Sequence, residues 1–394
     1  MPVDRTRRFS LPGIHDLNKD QDEALALPLE GQHLIVGGPG TGKSVVALLR
    51  ARRLAENNRT YRTLAYNRLL DRSNRHLFGS DQTFNAKTWV AWFHEIYKHF
   101  FGDVPRPAHE KPEDSYAIDW EVVEQQVQSL DDIEDQSGRF LVIDEGQDMP
   151  PAFYRTLADL GFENFYVAAD QNQQIHPDKC SSRQDIENSL AIEPGDTLEL
   201  KTNYRNTRPV ALLAQRFYPD DPASPKPDLP DPKPAAATPE LWTYDSASTA
   251  ALAAIAENIL RLSDRNPRKL IGMTTPDNKV REKFMGALLN ANPKLDNDKP
   301  PIRTYVSGQR ELPDFGQGGI MVINAQSCKG LEFDTAILAD VDQHQPKHDP
   351  HALKARFYVM VARAREKVIL LRTGNVCPVV DKLLPTDPTI LVRK

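Results

Sequence analysis

The chemistry-bearing residues of this chain begin in the run LIVGGPGTGKSVVALL at 34–49. Gly37, Gly42, Lys43 and Ser44 satisfy G-x-x-x-x-G-K-[ST], with Gly38, Pro39, Gly40 and Thr41 filling the loop. Small residues let successive backbone N–H groups converge on a phosphate, and the helix that follows adds the positive end of its dipole. Lys43 would reach the β- and γ-phosphates and Ser44 would hold Mg²⁺. A second acidic group, Asp144 and Glu145 in FLVIDEGQD, closes an apolar strand, at the edge where open α/β sheets place their ligands. Asp144 would complete the Mg²⁺ shell, and Glu145 would orient an attacking water.

These groups need a scaffold that delivers several strand ends to one edge. Short apolar runs (HLIVGG, RTLAY, FLVIDE, NFYVAAD, TLELKTNYR) alternate with helical patterns, which predicts a parallel α/β sheet covered on both faces. After Tyr218 the pattern breaks into a stretch with eight prolines between Pro219 and Pro239, expected to be an extended, exposed connection. A second series follows: ELWTY, a helix carrying Leu252, Ile255, Ile259 and Leu262, then KLIGMTT, a helix after Asp277, IRTYVS, GIMVINA, TAILAD and KVILLRTG. Two α/β domains are expected, and only the first carries a phosphate loop.

Bulk composition narrows the function classes. The 394 residues suffice for two or three domains. Cys180, Cys328 and Cys377 lie far apart, which argues against zinc or a disulfide framework and for a reducing, cytoplasmic setting. The N-terminus has no apolar signal core, and no run approaches the ~18 apolar residues of a membrane span. The net charge of −6 is uneven. Residues 50–75 hold eight arginines against Glu56 and Asp71, whereas 103–135 hold eleven acids against Arg106 and Lys111. One face for a polyanion and another for a protein partner is one reading; solvated helix faces are the other.

The segments DEGQD, AADQNQQI, LKTNYRNT, SCKGLEF and YVMVARAREKVIL, preceded by LNKDQDEAL, resemble the motifs of Rep/UvrD-type superfamily 1 helicases in order and spacing. The resemblance implies two tandem RecA-like domains with parallel sheets: 1–196 with a short acidic insertion at 103–139, a crossover at 197–218, the Pro-rich connector at 219–239, and 240–394. It further implies ATP and Mg²⁺ as cofactors. Gln21 would read the adenine edge and Tyr204 would stack on its face. Gln173 would sense the γ-phosphate, with Arg205 and Arg363 as arginine fingers. Gly330 and Glu332 of KGLEF would line the ribose side. Single-stranded DNA, or RNA, would cross the tops of both domains near Asn67, Thr88 and Trp89, although Trp89 and Trp92 also fit a helical apolar stretch with Phe93.

Some positions depart from that pattern. The base-stacking run expected after Gln173 reads HPDKC, with His176 and Pro177; Gln326 stands for a histidine and Ala362 for a threonine. The slots that hold large inserted subdomains are nearly empty. The expectation is a bare motor core, moving 3′→5′ by resemblance and weak at unwinding without a partner. The alternative is an ATPase switch that gates a nuclease or a defence or repair subunit. A nucleotide kinase or AAA-type remodeller has no use for a second α/β domain with KGLEF and a late arginine helix.

Overall fold

The computed structural model describes residues 3–7, 11, 13–78, 84–108, 117–173, 180–220, 222–306, 309, 311–346 and 348–394. The first sheet contains β1 (Gln32–Gly37), β2 (Thr60–Ala65), β3 (Ala86–Thr88), β4 (Arg139–Ile143), β5 (Asn164–Ala169) and β6 (Leu198–Leu200), in the order β3-β2-β4-β5-β1-β6. Every pairing is parallel. Alternation along each strand divides its side chains between two cores. Leu34, Val36, Leu141, Ile143, Phe165 and Val167 point one way, and Ile35, Phe140, Val142, Tyr166 and Ala168 the other. That period-2 split on a sheet covered on both faces gives near-continuous apolar strands, as the sequence suggests.

Helices α1 (Lys19–Ala26) and α2 (Lys43–Glu56) cover one face. Helix α3 (Arg68–Phe78) follows β2, and α4 (Trp89–Phe101), α5 (Trp120–Gln128), α6 (Pro151–Asp159) and α7 (Arg183–Ser189) cover the other face. Helix α5 is the only helix among the described residues of the short insertion, and Asp119 caps it by accepting from the Val122 N–H.

The second sheet contains β7 (Glu240–Tyr244), β8 (Leu270–Thr275), β9 (Ile302–Thr304), β10 (Gly319–Asn324), β11 (Phe333–Leu338), β12 (Ala364–Thr373) and β13 (Val392–Arg393), in the order β13-β7-β12-β11-β8-β10-β9. It too is parallel throughout. One face packs on α8 (Arg208–Arg216), α11 (Pro350–Ala362) and α12 (Pro378–Leu383), the other on α9 (Thr249–Arg265) and α10 (Asn278–Asn290). The chain is thus an α/β protein of two parallel sheets with interleaved helices, consistent with tandem RecA-like domains.

Two expected boundaries differ in the structure, and one expected segment is less exposed. The crossover at 197–218 is split, because β6 pairs with β1 while α8 lies under the second sheet. The first residues do not stay with the first sheet. Arg7 donates its N–H to the Gly316 carbonyl and pairs with Asp334 at 3.3 Å, so this short strap fastens to the second half. The Pro-rich connector is extended but not wholly exposed. Ser224 and Pro227 are buried against the first sheet, because Ser224 Oγ donates to Asp170 at 3.1 Å and Pro227 lies over Gly38.

Candidate functional site

Strand β1 ends in the glycine loop, and the loop's geometry depends on its residue types. Gly42 caps α2 at φ +91°, a left-handed conformation that disfavours a side chain, and a Cβ there would meet Gln21 Nε2 at 2.2 Å. A Cβ on Gly38 would meet Pro227 Cγ at 2.1 Å. Thr41 Oγ1 donates to the Gly38 carbonyl at 2.8 Å. Lys43 Nζ donates to the carbonyls of Gly37 (2.6 Å) and Gly38 (2.9 Å) and lies 3.7 Å from Asp170. Burial lowers the pKa of Lys43, and Asp170 and Glu145 oppose that shift.

Strand β4 brings two more carboxylates, Asp144 and Glu145, to the same edge as Asp170, which follows β5. Burial pushes Asp144 up to about 6, the neighbouring Glu145 adds to this, and a hydrogen bond with Ser44 works against it. Asp144 Oδ2 is buried without a hydrogen-bond partner. An orphaned carboxylate oxygen beside a serine hydroxyl fits a hard divalent cation that takes oxygen ligands. Glu145 goes the other way. Burial alone would raise it, but Lys329, Arg363 and Lys43 together hold its carboxyl below the usual range. Glu145 also accepts from Gln147 Nε2 at 2.6 Å and has φ +56°, an uncommon backbone state for a non-glycine residue.

The second sheet closes the cleft. Glu332 precedes β11 and Arg363 precedes β12, so both stand at the N-terminal edge of that sheet. The two segments are stitched together by Phe333 N–H donating to the Arg363 carbonyl at 3.0 Å. Arg363, 1% exposed, donates to Gln173 Oε1 and lies 4.0 Å from Glu145. Arg205 pairs with Glu332. Gly330, at φ +76°, packs against Leu70 of α3. The resulting cleft of about 370 Å³ is lined by Gln21, Pro39, Gly40, Gly42, Lys43, Ser44, Glu145, Gln173, Tyr204, Arg205, Glu332 and Arg363, with Arg365 beside them. That volume is within the range of small-ligand sites. A larger open groove, about 470 Å³ between β7 and α9, shares none of these residues.

Residues singled out for the nucleotide therefore converge, and several engage one another rather than standing free. Gln21 donates Nε2 to the Thr41 carbonyl at 2.9 Å and accepts from the Asn18 N–H. Gln173 donates to Asp170 Oδ2 at 2.5 Å. Among residues not anticipated, Asp170 follows β5 as Asp144 follows β4, a position that could have marked it. Lys329 opens the KGLEF motif, but nothing in the sequence names its partners. Its Nζ meets Asp148 at 2.5 Å and the Gln173 carbonyl at 2.6 Å, partners 181 and 156 positions away in sequence.

The residues assigned to nucleic acid are less convergent. Asn67 accepts from the Leu70 N–H at 2.8 Å and so caps α3. Thr88 ends β3 and precedes α4 with no side-chain cap bond. Trp89 is half-buried, stacked on Trp120 at 6.5 Å and edge-on to Phe153 at 5.3 Å, while Trp92 is core. The exposed ring at this edge is Tyr66, beyond β2. The arginine-rich stretch is largely committed internally. Arg50 and Arg53 hold the carbonyls of Leu27, Pro28 and Leu25 at the end of α1, and Arg75 holds those of Phe84 and Ala86. Loop carbonyls with no ladder partner need donors, and these guanidiniums supply them. His176 and Pro177 lie outside the described residues, as do 109–116 of the acidic insertion.

No described helix is long and apolar enough to cross a membrane. Comparison with known proteins bears on the second sheet. No curated protein matches the chain. A solved structure, the C-terminal domain of a possible DNA helicase from Lactobacillus plantarum WCFS1, is similar at 16% identity and TM-score 0.34, covering 48% of this chain and 98% of that one. Residues 319–371, from β10 into β12 and including Gly330, Glu332 and Arg363, match the family model described as UvrD-like helicase C-terminal domain, so this stretch is similar to that domain.

Proposed function

We propose that the chain is an ATP-driven motor on single-stranded DNA, of the superfamily 1 type and 3′→5′ by resemblance. One observation carries the reading. Lys43, Ser44 and Glu145 from the first sheet and Arg363 from the second line one cleft, with Asp144 buried beside Ser44. ATP is the substrate. Lys43 would swing from the loop carbonyls to the β- and γ-phosphates, and Ser44 and Asp144 would hold Mg²⁺, which would supply positive charge to the phosphate oxygens. Glu145, held ionised by its cationic neighbours, orients the water that attacks the γ-phosphorus. The bond to the bridging oxygen breaks, leaving ADP and phosphate. Arg205 and Arg363 meet the charge on the equatorial oxygens. Because Arg363 belongs to the other sheet, hydrolysis requires the two halves to be closed, and chemistry becomes coupled to motion.

The narrow first insertion, with α5 as its described helix, favours a second reading in which the same cycle gates a nuclease or a defence or repair partner. The test is ATP hydrolysis by the full chain with single-stranded DNA of increasing length, duplex DNA and RNA, each at several salt concentrations. A motor gives hydrolysis that rises with single-strand length and binding that weakens by about 0.7 in log K per log salt for each phosphate contact. Glu145→Gln should bind ATP and turn it over far more slowly. Length-independent hydrolysis supports the switch, and wild-type turnover in Glu145→Gln refutes the role of Glu145.

A further inference from the structure

We propose that Asn18 is a positioning residue for the ring of Tyr204, holding it ready for the purine base of a bound nucleoside triphosphate; the inference rests on the nucleotide site proposed above. Asn18 caps α1. Its Oδ1 accepts from the Gln21 N–H at 2.7 Å, and Gln21 Oε1 accepts in return from the Asn18 N–H at 3.2 Å. A cap of this kind needs only an acceptor, and serine or aspartate serves as well as asparagine. The amide donor is surplus to capping. It is spent on Tyr204: Asn18 Nδ2 donates to the phenol oxygen at 2.7 Å.

Tyr204 needs such a partner. Its side chain is 55% exposed, which leaves an aromatic ring free to turn unless something holds it. Its main-chain N–H donates to the Gly40 carbonyl at 2.8 Å, so the backbone is docked on the glycine loop while the hydroxyl is docked on α1. Gln21, one turn into that helix, donates to the Thr41 carbonyl in the same loop. Three hydrogen bonds therefore close a triangle of helix start, glycine loop and tyrosine around one end of the cleft, and Gln21, Gly40, Gly42 and Tyr204 all line it. A ring fixed before the ligand arrives has no rotamer freedom left to lose on binding, and that loss ordinarily weakens affinity by about three- to tenfold for one side chain.

The test uses the full chain and steady-state hydrolysis of Mg-ATP in the presence of single-stranded DNA. Asn18→Ser keeps the cap and removes the reach to Tyr204. Tyr204→Phe keeps the ring and removes the hydroxyl. Each should raise KM about three- to tenfold, Asn18→Ser should leave kcat within about twofold, and the double variant should raise KM no further than the worse single. Thermal melting of Asn18→Ser at the wild-type temperature confirms that the cap survives; should it unfold, Tyr204→Phe alone decides. An unchanged KM in either single variant, or effects that multiply in the double variant, overturns the assignment. A wild-type chain that hydrolyses no ATP removes the nucleotide site itself, which is a different failure.

Discussion

Replacing Lys329 with methionine tests how the two halves are held together. Lys329 and Asp148 come from opposite sheets, and their side chains are 3% and 4% exposed. Lys329→Met takes the cation from Asp148, whose Oδ2 already has no hydrogen-bond partner, and a donor from the Gln173 carbonyl. Removing one member of a buried pair costs about 3–5 kcal/mol, since the carboxyl left behind must either stay as a buried charge without compensation or take up a proton. The pH dependence sharpens the prediction. Burial pushes Asp148 up to about 6 even with the ammonium beside it, so the wild-type carboxylate is ionised at pH 8. Without Lys329 it rises further and keeps its proton, whereas the unfolded chain has released one. Folding then binds a proton, and stability falls as pH rises above about 6, by at most about 1.4 kcal/mol per unit. Urea unfolding followed by tryptophan fluorescence at pH 6 and 8 measures both quantities. Lys329→Met with Asp148→Leu should recover most of the loss. A single variant within about 0.5 kcal/mol of wild type at pH 8, or with no added slope, refutes the argument.

Arg363→Ala should lower ATP turnover by about 10³–10⁵ while ATP binding is largely kept, as measured by single-turnover hydrolysis and equilibrium titration; a loss of only a few-fold would reduce Arg363 to a structural partner of Gln173. His344 is fully buried, its Nε2 donates to the Ala339 carbonyl at 3.1 Å, and burial pushes it down to about 3. The stability it contributes is complete above about pH 6.5 and is lost as pH falls toward 3, so wild type should lose about 1.4 kcal/mol per unit more than His344→Gln between pH 6.5 and 4.5 in thermal or urea melts.

The elements that act locally were legible in the sequence. The glycine loop, the strand ending at Asp144 and the helix carrying Ile255 and Ile259 each announce themselves within about a dozen residues, because backbone conformation and amphipathic spacing are short-range properties. What stayed hidden depends on pairs far apart in the chain. Nothing near Arg50 says that its guanidinium will satisfy the carbonyls of Leu27 and Pro28, so from sequence the arginine-rich stretch reads as either a polyanion surface or solvated helix faces. Nothing near Arg7 says that it will face Asp334 in the other half. Trp89 follows the same rule: its spacing fits both a stacking platform and a core, and only the approach of Trp120 and Phe153 decides where the ring goes.

The connector between the sheets has two halves that differ in what they tolerate. Residues 224–228 are part of the loop's own walls. Pro227 fills the space a side chain on Gly38 would need, Gln215 Nε2 donates to the Pro227 carbonyl at 3.0 Å, and Ser224 holds Asp170, which in turn faces Lys43. Residues 231–235 are exposed and carry none of these bonds. For an engineer, the tether therefore has one splice point. Added length, a reporter domain or a protease site belongs at 231–235. The same insertion a few residues earlier would be felt in the glycine loop as if it had been made there.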